Sequence, residues 1–210
     1  CQILITVLKT IGIEITQDIG TCLLTGIITD TGGFKYQNVK PETFEFAAEL
    51  LSRGVNVSEI YKKTLQTVSK EKFELRKIAM NRIELLENGK IAFTYITRKD
   101  EEQVNADDHD GIVEIGRDIE GVEVSVFLRE TDVNTYKISL RSNDYVNVSD
   151  ICLMFGGGGH VRAAGGTITG LPFEKAKEKM LSCTSSWDLT NASIQSLAGA
   201  LKNMDEMLTV

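Results

Sequence analysis

The stretch of this sequence best suited to chemistry is a run of four glycines that leads to a histidine and an arginine. Gly156 to Gly159 precede His160, and Arg162 follows two residues later. Glycines let a backbone approach a ligand closely, and successive amide N–H groups that point into one concavity bind anions. A guanidinium and an imidazole beside such amides can donate hydrogen bonds to a phosphate. We therefore predict a phosphate-binding loop formed by Gly157, Gly158, Gly159, His160 and Arg162.

The glycine run differs from the common nucleotide-binding patterns. No Lys-Ser or Lys-Thr pair follows it, as in a Walker loop, and its spacing is not the G-x-G-x-x-G of a dinucleotide-binding turn. The alternative interpretation is a flexible glycine hinge. Linkers of that kind are rarely flanked by tightly packed apolar residues and a His-x-Arg pair, so the phosphate loop is favoured.

Two further arginines stand near the ends of neighbouring predicted strands. Arg129 follows the apolar residues 126–128, and Arg141 follows residues 138–140 and precedes Ser142. If the two strands form a hairpin, both guanidinium groups could face one cleft and bind a dianionic group. The alternative is a solvated charge at the end of each strand. The nearby glycine run makes Arg141 the stronger candidate.

Acidic residues suggest two places for a metal ion. Asp30 ends an apolar helical segment just before Gly32 and Gly33, where a carboxylate could bind a metal ion or simply begin a turn. The run Asp107-Asp108-His109-Asp110 carries three carboxylates and an imidazole. Because neighbours in sequence rarely point at one ion, we interpret that run as a solvated acidic loop before a helix.

The elements that must position these residues change character near residue 89. Before that point, apolar residues recur at three- and four-residue steps, which predicts helices, including one from Pro41 to Gly54 and one or two over 59–86. Beyond it, alternating patterns predict strands near 91–95, 122–128, 136–140 and 166–169, and helices over 111–119, 148–155 and 173–181. A turn at 132–135 should join the second and third strands in a hairpin. The sequence thus predicts an α/β protein with a mostly helical first part and a compact domain built on a mixed sheet.

Composition restricts the class of protein. The 210 residues include 23 Lys and Arg against 30 Asp and Glu, a net charge of −7, and 42% of them are hydrophobic. This balance is typical of globular proteins and excludes collagen-like, disordered and integral membrane chains. The four cysteines show no paired spacing, and no apolar stretch approaches the roughly 20 residues of a membrane span. We expect a cytoplasmic protein with buried thiols.

Taken together, these motifs resemble the DHH/DHHA1 phosphoesterase family, and within it the bacterial branch of oligoribonucleases and 3′-phosphoadenosine 5′-phosphate phosphatases. Residues 26–34 match the family's last metal-binding motif, in which the aspartate, here Asp30, binds a catalytic manganese ion. Residues 156–165 match the DHHA1 signature, and residues 127–130 and 139–142 match its substrate-binding strands. The resemblance implies that the substrate is bound by Arg129, Arg141, Ser142, Gly157, Gly158, Gly159, His160 and Arg162.

The resemblance also implies a division of the chain. Residues 1–60 would be the C-terminal part of a DHH catalytic domain, 61–89 a linker helix and 90–182 the DHHA1 substrate-binding domain. Residues 183–210 lie beyond the resemblance, and their pattern predicts an appended helical tail or an exchanged tail. The family's Asp-His-His and earlier Asp-x-Asp motifs are expected upstream of Cys1. In the family they complete a site for two Mn²⁺ ions, to which this chain would supply only Asp30.

The expected function is therefore metal-dependent hydrolysis of short oligoribonucleotides or nucleotide 3′-phosphates, with this chain alone inactive. Two alternatives stay open: a non-catalytic module that binds nucleotides or RNA through the glycine run, and a di-adenylate phosphodiesterase. No membrane partner is expected, and a homodimer is left open.

Overall fold

In the computed structural model, which describes residues 1–36 and 38–185, the chain divides after Val68. The two units are Cys1–Val68 and Ser69–Val210. The segment predicted as a linker helix, 61–89, contains a π-helical turn, a helix and a short strand. The predicted helical tail lies outside the described residues from residue 186 onward.

The described part of the first unit is helical, as predicted. Its second helix begins after Thr16, whose hydroxyl accepts a hydrogen bond from the Ile19 amide, and its third begins at Pro41. Apolar side chains from these helices meet in one core, in which Ile28 and Leu50 are completely buried. The elements are α1 (Gln2–Thr10), α2 (Gln17–Asp30), α3 (Pro41–Ser52), α4 (Val57–Tyr61) and a π-helical turn (Lys62–Gln66).

The second unit is built on a six-stranded mixed sheet, with strand order β1-β2-β3-β4-β6-β5. β2 and β3 run parallel, while every other neighbouring pair is antiparallel. The strands are β1 (Glu84–Leu86), β2 (Ile91–Ile96), β3 (Val124–Asp132), β4 (Thr135–Ser142), β5 (Gly158–His160) and β6 (Ala163–Thr169). The helices are α5 (Lys70–Asn81), α6 (Arg98–Val104), α7 (Ile112–Arg117), α8 (Val148–Leu153) and residues 173–185.

The two faces of the sheet are covered differently. Because side chains alternate along a strand, Phe93, Val126 and Leu140 share one face, where they form the main core with residues of α8 and of the 173–185 helix. On the other face Phe127 packs with residues of α5 and α7 in a smaller core. Residues of β4, β6 and β5 on that second face are partly or fully exposed. This exposed area is where the predicted site residues must be sought.

The α/β fold class predicted from the sequence is confirmed, and so are the predicted strands and the hairpin between β3 and β4. The helix predicted to continue to Leu86 is wrong at its end. The chain leaves the helix at Asn81 and reverses through Glu87, Asn88 and Gly89, all with positive φ. This turn pairs β1 with β2 in an antiparallel register.

The expectation of buried thiols holds only for part of the cysteines. Cys152 is completely buried, and burial raises the pKa of its thiol to about 11 even though the Arg141 charge opposes the shift. Cys1 and Cys22 are exposed. No helix among the described residues is long and apolar enough to cross a membrane.

An ion pair fixes α6 to the end of α5. The two guanidinium Nη atoms of Arg82 donate to the two carboxylate oxygens of Asp100 at 2.6 and 2.9 Å, and the Thr97 amide and hydroxyl donate to the same carboxylate. Burial opposes ionisation of Asp100, but the hydrogen bonds from Arg82 and Thr97 outweigh it and lower its pKa. The charged pair therefore stabilises the folded state whenever Asp100 is ionised.

We predict that Asp100→Asn lowers the free energy of unfolding by about 1–3 kcal/mol at pH 7, because it leaves Arg82 half-buried without its anion. A carboxyl with a depressed folded-state pKa stabilises above its unfolded pKa of about 3.9 and stops doing so as the pH falls through the folded-state value. Urea unfolding should thus show a gap between the two proteins at pH 7 that closes below about pH 4. Asp132→Asn, at an exposed pair with Arg98, is the control, and an equal loss there would contradict the prediction.

Candidate functional site

Both predicted arginines, Arg129 and Arg141, line a cleft of about 380 Å³ in the second unit, which we call the sheet cleft. Its floor is the second face of β3 and β4, and its rim is the loop before α7. The lining residues are Asp107, Asp108, His109, Asp110, Gly111, Val113, Glu114, Phe127, Arg129, Lys137, Ser139 and Arg141.

The pleat of β4 positions three polar side chains in the sheet cleft. Lys137, Ser139 and Arg141 alternate with the buried Tyr136, Ile138 and Leu140. On β3 their direct cross-strand partners are Arg129, Phe127 and Ser125, respectively. Lys137 and Ser139 were not selected from the sequence. They lie four and two residues before Arg141, respectively, and this alternation along a strand could have predicted that they share its face.

His160 lies on the same face as Arg141, two strands away. Ala163 of β6 pairs with Arg141 on one side and with His160 of β5 on the other. Side chains paired directly across strands point to the same face, and strands are about 4.8 Å apart, so the two Cα atoms are separated by about 10 Å. The residue between them is only an alanine, and the His160 side chain is exposed. The basic groups of Arg141 and His160 thus flank a shallow floor of small residues.

Two glutamates orient the basic groups of the sheet cleft. Glu114 accepts a hydrogen bond from Nε of Arg141 at 2.9 Å. One carboxylate oxygen of Glu101 accepts from Nε of Arg129 at 2.9 Å and lies 2.6 Å from Nε2 of His109. These contacts leave both Nη atoms of Arg129, and Nη2 of Arg141, without a partner among the described residues. Such atoms are available to an anionic ligand.

The acidic run before α7 is not simply a solvated loop. The side chain of His109 is only 10% exposed and stacks against Phe127, with ring centroids 6.5 Å apart. Asp108 pairs with Lys72, whose hydrogen bond lowers the pKa of the carboxyl. The described residues contain no group of three or more His, Cys, Asp or Glu side chains that could hold a metal ion. The run therefore forms the rim of the sheet cleft.

The glycine run does not form the predicted nest of free amides. The Gly156 and Gly157 amides donate to the carbonyls of Leu153 and Cys152 at the end of α8, and residues 158–160 pair with β6 as an edge strand. A Cβ at Gly157 would lie 2.0 Å from the Gly165 carbonyl oxygen, and one at Gly159 would lie 2.5 Å from that of Ala163. These glycines are required because β5 approaches the backbone of β6 too closely for a side chain. Their direct contact with a ligand stays a prediction.

Two of the predicted substrate ligands, Ser142 and Arg162, face a turn rather than the sheet cleft. The buried hydroxyl of Ser142 donates to the Val146 carbonyl at 2.7 Å. The guanidinium of Arg162 donates to the carbonyls of Val146 and Asp144. Neither residue lines the cleft. Ser142 points to the opposite face of β4 from Arg141, and the guanidinium of Arg162 is directed to the two carbonyls of the turn. The structure gives both a role in holding the turn over 143–146.

The predicted metal ligand, Asp30, lies in the first unit. It is the last residue of α2, it is exposed, and it lines a cavity of about 230 Å³ with Asn38, whose amide donates to the Asp30 carbonyl. No second acidic or histidine side chain lines that cavity. The described residues therefore supply one carboxylate at this position and do not form a manganese site by themselves.

The second unit of this chain matches a known protein domain. The DHHA1 domain model matches residues 88–187, which include β2 to β6, the sheet cleft and the glycine run. The bifunctional oligoribonuclease and PAP phosphatase NrnA of Thermus thermophilus is 37% identical over 171 residues, which cover 81% of this chain and 51% of that protein. Residues 88–187 of this chain are a DHHA1 domain. The chain spans about half the length of the NrnA proteins that it matches.

Two further relatives extend the comparison. A crystal structure of an exopolyphosphatase-related protein from Bacteroides fragilis superposes with a TM-score of 0.75 at 30% identity, covering 83% of this chain and 52% of that one. An A-adding tRNA nucleotidyltransferase of Aquifex aeolicus is 29% identical over 81% of this chain and 20% of its own length. The chain is thus similar to parts of proteins that are named for different activities.

We predict that two neighbouring glycines of the DHHA1 domain respond differently to alanine. Gly157→Ala should lower the free energy of unfolding by about 2–4 kcal/mol, because its Cβ would collide with a backbone carbonyl. Gly158→Ala should change stability far less, since its Cβ would meet only Leu153, at 4.0 Å. Thermal and urea unfolding measure both, and equal stability of the two variants would contradict the steric explanation.

We also predict that Arg141→Ala and His160→Ala each weaken binding of a nucleotide bisphosphate by about 1–3 kcal/mol, the range of a charge-assisted hydrogen bond. Titration calorimetry on the 210-residue chain measures the effect. Arg98→Ala is the matched control, because Arg98 pairs with Asp132 at an exposed position outside the sheet cleft. Unchanged isotherms for both cleft variants would exclude this surface as the binding site.

Proposed function

We propose that this chain is the substrate-binding part of a metal-dependent phosphoesterase that hydrolyses short oligoribonucleotides and nucleotide 3′-phosphates in the cytoplasm. The observation that carries the proposal is the row of Arg141, Ala163 and His160 across three strands of the DHHA1 sheet. The row combines two anion-binding side chains with a floor of small residues. The names of the NrnA relatives supply the substrate class.

In this proposal the residues of the row bind and orient the substrate. Nη2 of Arg141 and a ring nitrogen of His160 donate hydrogen bonds to a phosphate. Ala163 and Gly165 leave room for the sugar or base between them, because neither presents a large side chain. Glu114 keeps the guanidinium of Arg141 in place through its Nε atom, so less side-chain freedom is lost when the phosphate binds.

In this proposal, Asp30 would be one ligand of a manganese ion. The metal would supply an activated water and neutralise phosphoryl oxygens. The described residues place one carboxylate there, which does not hold a pair of metal ions. The further ligands of the metal would therefore come from outside the described residues. This chain would therefore bind the substrate and would not hydrolyse it on its own.

A second candidate function is favoured by one observation. The tRNA nucleotidyltransferase relative shows that a similar segment occurs in a protein whose name describes an RNA substrate and no phosphate hydrolysis. The chain would then be a non-catalytic module that binds RNA through the same face of the sheet.

We expect the 210-residue chain to bind 3′-phosphoadenosine 5′-phosphate and a triadenylate competitively, and to release no phosphate from either in the presence of Mn²⁺. Calorimetry and a phosphate-release assay measure these two properties. Manganese-dependent turnover by these residues alone would overturn the assignment of the missing metal ligands to other residues. Binding of a structured tRNA at least about tenfold tighter than the triadenylate, a difference of about 1.4 kcal/mol, would favour the RNA-binding module.

A further inference from the structure

One end of the sheet cleft holds two like charges that face each other directly. Arg129 of β3 and Lys137 of β4 are cross-strand partners on the same face. Side chains in such pairs lie about 4.5–5.5 Å apart at Cβ, and like charges there destabilise a sheet. On the other side of Lys137, its β6 partner is the neutral Thr167. The pairing of Arg129 with Lys137 is therefore unfavourable unless an anion neutralises their charges.

The protein compensates only one of these two cations. Nε of Arg129 donates to Glu101, whereas the ammonium group of Lys137 has no acidic partner among the described residues. Lys137 is exposed and lines the sheet cleft. Glu101 is also shared with His109, 2.6 Å away. Lys137 thus lies beside Arg129 without an ion pair of its own among the described residues.

This pair is well separated from the row that holds the first phosphate. Lys137 precedes Arg141 by four residues on β4, which at about 3.4 Å per residue places their Cα atoms about 14 Å apart. The residue midway between them on this face is Ser139, and its β6 partner is Gly165. The two basic ends of the cleft are joined by a floor of small residues long enough for several atoms of a nucleotide chain.

We propose that Arg129 and Lys137 form a second anion subsite, which binds another phosphate of an oligonucleotide whose first phosphate lies at Arg141 and His160. The inference rests on the proposed function and adds a rule for substrate length. A nucleotide bisphosphate occupies the Arg141 end alone, whereas a chain of three nucleotides reaches both ends along β4. The subsite therefore favours oligonucleotides over 3′-phosphoadenosine 5′-phosphate.

The test compares two ligands on two lysine variants of the 210-residue chain. The ligands are 3′-phosphoadenosine 5′-phosphate and 5′-phosphorylated triadenylate, and the variants are Lys137→Gln and the control Lys90→Gln. Lys90 is an exposed lysine without an ion pair among the described residues, and it lies outside the sheet cleft. Affinities are measured without metal between about 50 and 200 mM salt, because phosphate contacts are salt-dependent.

We expect Lys137→Gln to weaken triadenylate binding about tenfold, as the loss of one charge-assisted contact does. It should also reduce the slope of log affinity against log salt by about 0.7, the value for one phosphate of a single strand. Binding of the bisphosphate should be unchanged, and Lys90→Gln should affect neither ligand. Because removing one of two facing cations relieves repulsion, the melting temperature of Lys137→Gln should not fall.

Three outcomes would overturn the subsite. Equal weakening of both ligands would mean that Lys137 contacts the same phosphate as Arg141. No effect on either ligand, together with weakening of both by Arg141→Ala, would remove the subsite and leave the proposed function standing. Failure of the unaltered chain to bind either ligand would remove the proposed function and the subsite with it.

Discussion

The alternation of side chains along β4 is the constraint on which the second unit depends. Tyr136, Ile138 and Leu140 point into the main core, and Lys137 and Arg141 point into the sheet cleft. Burial of each large apolar side chain contributes about 1.5–3 kcal/mol. A shift of one residue in the pairing of β4 would expose all three and bury the two cations. The same hydrophobic free energy that folds the sheet therefore fixes where the basic groups stand.

The cleft carries three basic side chains on its strands, and acidic side chains line the rest of it. Glu101 and Glu114 each accept a hydrogen bond from an arginine through its Nε atom, which leaves donors of the same guanidinium groups directed elsewhere. An ion pair of this kind restricts the side chain before a ligand arrives. The acidic run before α7 lines the rim. In the proposed function, this run would direct the anionic groups of a ligand onto the strands.

Much of the fold was readable from the sequence because its signals were local. Period-two patterns over β2, β3 and β4 identified the strands, and the turn at Asn134 identified the hairpin. Arg141 and His160 could be selected by residue type. Their position on one face of the sheet could not be predicted, because it depends on the pairing registers of β4, β6 and β5. The sequence alone does not fix these registers.

Other features could not be predicted from the sequence, because a contact between distant residues outweighed the local pattern. β1 continues an amphipathic helical sequence, and only its pairing with β2 makes it a strand. The glycine run indicated a ligand loop, yet β5 needs these glycines to approach β6. Arg162 is a residue of the type that binds phosphate and lies beside the glycine run, but its guanidinium donates hydrogen bonds to two backbone carbonyls. The partners of Arg129 and Arg141 are glutamates 28 and 27 residues away, at separations that no local motif encodes.

A nuclear magnetic resonance titration tests most directly whether the open face of the DHHA1 sheet binds the anionic substrate. The uniformly ¹⁵N-labelled 210-residue chain would be titrated with 3′-phosphoadenosine 5′-phosphate, and the amide shifts followed residue by residue. If the sheet face binds this ligand, we expect saturable shifts centred on Ser139, Arg141, His160 and Ala163, with the first unit unaffected. Shifts confined to the first unit, for example at Thr21 and Thr25 in its own cavity, would contradict it.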